Sequence, residues 1–102
     1  MTRDLKPGVL VRRSPPAGLI TYEEVAGRCG VHVSFVYRLV RLGVVDPDPD
    51  YPQYVQPDVT IRIQKLVRLQ TDLGVNLEGA AIIVDLLDRI DQLEAELRAW
   101  HR

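Results

Sequence analysis

The apolar positions of the chain fall into helical stripes that glycine, proline and aspartate interrupt. Thr21-Tyr22-Glu23-Glu24 has the form of a capping box, with the threonine hydroxyl placed to accept from the Glu24 amide and the Glu24 carboxylate placed to return to the Thr21 amide. Ile20 before the cap and Val25 after it have the spacing of a hydrophobic staple. This predicts a helix from about Tyr22 to Cys29, ended by Gly30 in the left-handed region. A short turn from Val31 leads to a second helix from about Val33 to Leu42, closed by Gly43. Val36, Leu39 and Val40 face inward on it, while Ser34, Arg38 and Arg41 share the outward side with Tyr37 on the flank. Two short helices joined through a glycine turn form a helix-turn-helix pattern, which bare helical hairpins also share.

The stretch Asp46-Pro47-Asp48-Pro49-Asp50-Tyr51-Pro52 can be neither helix nor central strand, and reads as an extended acidic loop. A short strand is expected near Tyr54-Val55. Pro57-Asp58 then opens a third helix to about Leu73, whose inner stripe is Val59, Ile63, Leu66, Val67 and Leu73, with Arg62, Lys65 and Arg68 pointing elsewhere. Gly74 stops it, and Asn76 caps a fourth helix that runs almost to the end. Here the pattern is strongest. Ile83, Ile90 and Leu97 recur every seven residues, and so do Leu86, Leu93 and Trp100. Such a seam requires a partner, and the simplest is a second copy of the chain in a homodimer. The alternative is that the seam folds back onto its own small core. Parallel and antiparallel pairing are both open.

The length of 102 residues supports one core, with an extra helix. Residues 1–18, rich in proline and glycine, read as a mobile arm with at most a short strand at Val9-Leu10-Val11. Residues 19–75 carry the helix-turn-helix and loop, and 76–102 the dimerisation helix. The net charge of −1 excludes a strongly cationic nucleic-acid or membrane binder as the default. It conceals a division: residues 1–45 carry seven basic and three acidic side chains, and residues 46–102 carry six and eleven. The longest apolar run, Ala80 to Val84, is far too short to span a bilayer, and the N-terminus lacks the form of a signal peptide. A cytoplasmic protein is expected.

Catalytic chemistry finds little support. A glycine-rich phosphate loop and a Ser/His/Asp arrangement are both missing, and His32 and His101 are far apart. Asp46, Asp48 and Asp50 alternate as in a calcium loop, but prolines occupy the spacing positions, and the glycine and glutamate that should follow are missing. Cys29, the single cysteine, excludes an internal disulfide and reads as a packed apolar group. No enzymatic activity, cofactor or metal is expected.

The order of these pieces resembles the MerR-like winged helix-turn-helix family: a mainly α fold with a small β wing and a long C-terminal coiled-coil helix. The matching residues are Ile20-Thr21-x-x-Glu24-Val25, Cys29-Gly30-Val31, Arg41-Leu42-Gly43-Val44-Val45, Tyr54-x-x-x-Asp58-Val59 and Asp72-Leu73-Gly74-Val75-Asn76-Leu77-Glu78. The resemblance implies DNA contact through the two-helix unit and wing, and dimerisation through the last helix, in an antiparallel arrangement. Three departures matter. The recognition helix has Phe35-Val36-Tyr37-Arg38-Leu39 where family regulators usually place Thr-(Leu/Ile)-Arg-(Tyr/Phe)-Tyr. The wing carries Asp46, Asp48 and Asp50, and no basic residue lies between Arg41 and Arg62, so it repels a phosphate backbone and forgoes counterion release. Cysteines of metal- or redox-sensing members are missing from residues 74–79.

These departures are similar to those of the CbpM-type chaperone modulators within the family. Val67-Arg68-Leu69-Gln70-x-Asp72-Leu73-Gly74-Val75-Asn76-Leu77-Glu78-Gly79-Ala80-Ala81 and Asp85-Leu86-Leu87-Asp88-Arg89-Ile90-x-x-Leu93-Glu94 carry that likeness. It implies binding to the J-domain of a DnaJ-like co-chaperone and inhibition of its stimulation of Hsp70. A MerR-type DNA-binding transcriptional regulator is the alternative. Two partner-binding surfaces are candidates: the outward helix face (Ser34, Tyr37, Arg38, Arg41) and the acidic loop (Asp46, Asp48, Asp50). The dimer interface would be Ile83, Leu86, Ile90, Leu93, Leu97 and Trp100.

Overall fold

The computed structural model describes residues 14–101. The short strand considered at Val9-Leu10-Val11, and most of the proposed arm, lie outside them. The described chain forms β1 (Ile20–Thr21), α1 (Tyr22–Cys29), α2 (Val33–Arg41), β2 (Tyr54–Val55), α3 (Val59–Leu73) and α4 (Leu77–Trp100). This is the mainly helical winged helix-turn-helix with a long terminal helix that the sequence pattern predicts.

The caps explain the boundaries. Thr21 accepts from the Glu24 amide at 3.0 Å, and Gly30 ends α1 with a φ of +69°. The Glu24 carboxylate is taken up by Arg28 one turn later. The cap of α2 was not evident from the sequence: His32 Nδ1 accepts from the Ser34 amide at 3.1 Å. Its sequence signal is weak because histidine is not a preferred capping residue. Gly74 ends α3 at φ +68°, and Asn76 accepts from the Gly79 amide at 2.7 Å to begin α4. A methyl group on Gly79 would stand 3.1 Å from that capping oxygen.

Ile20 and Thr21 pair antiparallel with Val55 and Tyr54 respectively. This two-stranded ladder ties the start of the helix-turn-helix to the end of the wing. Ile20 and Thr21 have a second role beyond the staple and cap that the sequence suggests. The Tyr22 hydroxyl adds a bond to the Pro52 carbonyl at 2.7 Å. The core lies where the layers meet. Val25, Val36, Leu39, Val55, Ile63, Leu66, Ala80 and Val84 are all sealed from solvent. The first turns of α4 thus share the core of the helix-turn-helix, through Leu77, Ala80 and Val84. Beyond them the helix leaves the body, and the described chain extends 60 Å along its longest axis.

Two expectations about α3 require correction. Leu73, placed on the inner stripe, is 59% exposed, because the helix ends there at Gly74 before any partner can cover it. Arg62, read as pointing away, turns inward. Its Nε donates to the Val44 carbonyl at 2.7 Å, and its guanidinium pairs with Asp88 and, at 3.8 Å, with Asp85. One side chain thereby links the turn before the wing, α3 and α4.

The wing is held from within by Asp48. It is only 9% exposed, unlike its exposed neighbours Asp46 and Asp50. One oxygen accepts from the backbone amides of Asp50 and Tyr51 at 3.1 and 3.0 Å, and the other from the Gln56 side chain at 3.0 Å. The Asp48 amide closes the loop on the Tyr54 carbonyl at 2.9 Å. Replacing Asp48 with alanine strands three donors and should cost about 2 kcal/mol, lowering Tm by about 10 °C at fixed protein concentration. Asp50→Ala should change stability by less than about 0.5 kcal/mol. Thermal unfolding of the two variants by circular dichroism checks the contrast; equal effects would contradict it.

Candidate partner-binding surfaces

The outward face of α2 is less free than its sequence implies. Arg38 lies 3.3 Å from the Glu78 carboxylate in the first turn of α4. Tyr37 stacks obliquely on Tyr22, with ring centroids 5.2 Å apart, and its hydroxyl donates to Glu23 at 3.5 Å. Desolvation first, and then the Glu23 carboxylate, push the Tyr37 phenol above its ordinary value, so it is a neutral donor at physiological pH. Ser34 is exposed beside the His32 cap, and Arg41 is exposed with no ion-pair partner among the described residues. The Arg38–Glu78 pair is exposed on both sides and engages one guanidinium nitrogen, so Glu78 offsets the charge of Arg38 and leaves its other donors open.

The wing offers two solvent-facing carboxylates, Asp46 and Asp50, and the exposed ring of Tyr51. Asp48 is committed to the loop's own donors, so the three aspartates do not converge as cation ligands. No group of three or more potential metal ligands occurs among the described residues. Over residues 14–101, eight basic side chains stand against thirteen acidic ones, a balance of −5. Most of the positive charge expected of the N-terminal half therefore belongs to residues 1–13, which include Arg12 and Arg13 and lie outside the described residues.

Helix α4 carries two apolar stripes. The inner one, Leu77, Ala80 and Val84, packs on the core. The outer one comprises Leu86, Ile90, Leu93, Leu97 and Trp100, which are 49–83% exposed, with half-buried Ile83 at its edge. At about 100° of rotation per residue the two stripes lie on roughly opposite sides of the helix, so the outer one does not fold back onto the chain's own core. Ile82 extends the outer stripe and is itself 61% exposed. It escapes the seven-residue count, although its apolar character beside Ile83 is visible in the sequence.

Cys29 lies partly buried against the core, with its Sγ donating to the Thr60 carbonyl at 3.6 Å. Burial pushes the thiol up, so the protonated form dominates at neutral pH. His101 bonds to the Leu97 carbonyl at the helix end, well separated in the chain from His32. No helix among the described residues is long and apolar enough to cross a membrane.

Comparison with known proteins agrees with this geometry. Residues 20–102 match the family described as MerR HTH family regulatory protein. Over its whole length the chain is also 28% identical to proteins named chaperone modulatory protein CbpM from Coxiella burnetii, in the strains Dugway 5J108-111 and RSA 331 / Henzerling II. The match covers 95% of each of those proteins. The chain belongs to the MerR helix-turn-helix family.

Proposed function

We propose that this member of the MerR helix-turn-helix family is a chaperone modulator that binds the J-domain of a DnaJ-like co-chaperone and restrains its stimulation of Hsp70. The observation that carries the reading is the end-to-end similarity to proteins named chaperone modulatory protein. The charge of the folded body supports it. The surface that meets DNA in a regulator is acidic at the wing, and its Arg38 is already paired with Glu78. A basic partner surface is attracted to such a body, whereas a duplex is repelled. The reading implies a cytoplasmic protein that acts by occupancy and catalyses nothing.

In the same reading the protein is a homodimer joined along α4. The outer stripe supports this, because six side chains per chain would contribute on the order of 10 kcal/mol before entropic and association costs. Ile90→Asp with Leu93→Asp should convert the dimer to monomer while α1 to α3 remain folded, because neither residue touches the core. Sedimentation velocity at micromolar concentration checks this, and a wild-type monomer would contradict it.

Partner binding is tested by titration calorimetry against the J-domains of the same organism. Saturable binding is expected. Its association should slow far more than its dissociation accelerates as salt rises from about 0.05 to 0.5 M, since exposed charges are screened over about 10 Å at 0.1 M. Absence of binding to any J-domain, together with sequence-selective binding to an operator at physiological salt, would assign the protein to transcriptional regulation instead.

A further inference from the structure

The turn before the wing, the wing base, the N-terminal half of α3 and the middle of α4 enclose a groove of about 620 Å³. It is distinct from the outward face of α2 and from the outer stripe of α4. Asp46 stands on the wing side, Asp58 at the start of α3, and Asp85 and Asp88 on α4; Arg62 and Lys65 are the two cations that line it. Four carboxylates against two cations leave −2. Arg62 is already engaged with Val44, Asp85 and Asp88, so it braces the walls and offers little free charge. Asp46 and Asp58 have no side-chain hydrogen bond or ion pair among the described residues, and Asp58 makes no capping bond although it precedes α3. Ile61 also lines the groove and is 66% exposed, a large aliphatic side chain with no cover in the single chain.

We infer that this groove is the docking site for a basic, amphipathic segment of the partner, whose lysine or arginine side chains meet Asp46 and Asp58 while an aliphatic residue covers Ile61. The inference rests on the modulator reading for the identity of the partner, and it specifies where on this chain that partner sits. Three properties single out the groove. It is concave and braced by Arg62, so little ordering is needed on binding. Its net charge is opposite to that of the occupant, and its rim aspartates are uncommitted. It also joins an apolar anchor to a charged rim, as protein-binding surfaces commonly do. The α2 face lacks this combination: Arg38 and Tyr37 already contact Glu78 and Glu23, and Arg38 and Arg41 would repel a basic segment.

The test uses the full chain. Asp46→Lys with Asp58→Lys reverses the rim, and Ile61→Glu removes the anchor. All three positions are exposed, and Asp46→Asn with Asp58→Asn provides a milder version should the reversal disturb folding. Calorimetry against the J-domain should show affinity lowered by about tenfold or more for either rim pair or for Ile61→Glu, a larger loss than for Tyr37→Ala with Arg41→Glu. Wild-type affinity in the groove variants, with binding lost in the α2 pair, would overturn the inference while leaving J-domain binding in place. A second arm is independent of that partner. A short amphipathic peptide of lysine and leucine, titrated into ¹⁵N-labelled protein, should shift the amides of Asp46, Asp58, Ile61 and Lys65 in the wild type and not in the reversed variant. If the wild type binds no J-domain, the modulator reading fails, and these shifts alone decide the groove: their appearance supports it, and peptide shifts confined to α2 or the outer stripe of α4 overturn it.

Discussion

The docking of the first turns of α4 onto the helix-turn-helix core governs the rest of the molecule. Leu77, Ala80 and Val84 complete a core that α1, α2 and α3 leave open on one side. The Asn76 cap and the left-handed turn at Gly74 set the direction in which the helix departs. Once those three residues face inward, helical geometry places Leu86, Ile90, Leu93 and Leu97 on the far side, beyond reach of the same chain. Arg62 locks the orientation from below by joining the turn before the wing to the carboxylates of α4. The exposed stripe, the acidic groove and the position of the wing all follow from that one arrangement.

The family fold is here combined with a wing whose exposed side chains are acidic. A helix-turn-helix presents its second helix and wing on one side because its core requires it, whatever that side meets. Affinity for a duplex then depends on cations that neutralise phosphates. In this chain the wing supplies Asp46 and Asp50, and the second helix shares Arg38 with Glu78. The same scaffold here carries an acidic wing, and one fold can serve different sites and partners.

Helix positions were largely legible in the sequence, because their signals are local. Thr21, Gly30, Gly43, Gly74 and Asn76 mark ends by short-range hydrogen bonding and backbone conformation, and the structure uses Thr21, Gly30, Gly74 and Asn76 as read. What escaped was non-local. The β1 strand is two residues long, too short to leave an alternation, and it exists only because Val55 and Tyr54 arrive from the other side of the wing. Asp48 looks the same in sequence as Asp46 and Asp50, yet the turn closes around it and leaves them in solvent. Arg62 and Ile61 defy simple polarity. Periodicity gives each a side of its helix, but whether that side meets a carbonyl, a carboxylate or solvent depends on where the wing and α4 lie. The candidate surfaces were thus legible as residues, and their readiness to bind was not.

In the proposed function, this helix-turn-helix protein acts on a chaperone system by occupying a J-domain. The most direct measurement is steady-state ATP hydrolysis by Hsp70, with and without its DnaJ-like co-chaperone, as this protein is added. The co-chaperone-stimulated increment should fall to zero at saturation while the basal rate of Hsp70 alone is unchanged. A stimulated rate that stays constant under saturating protein would contradict it.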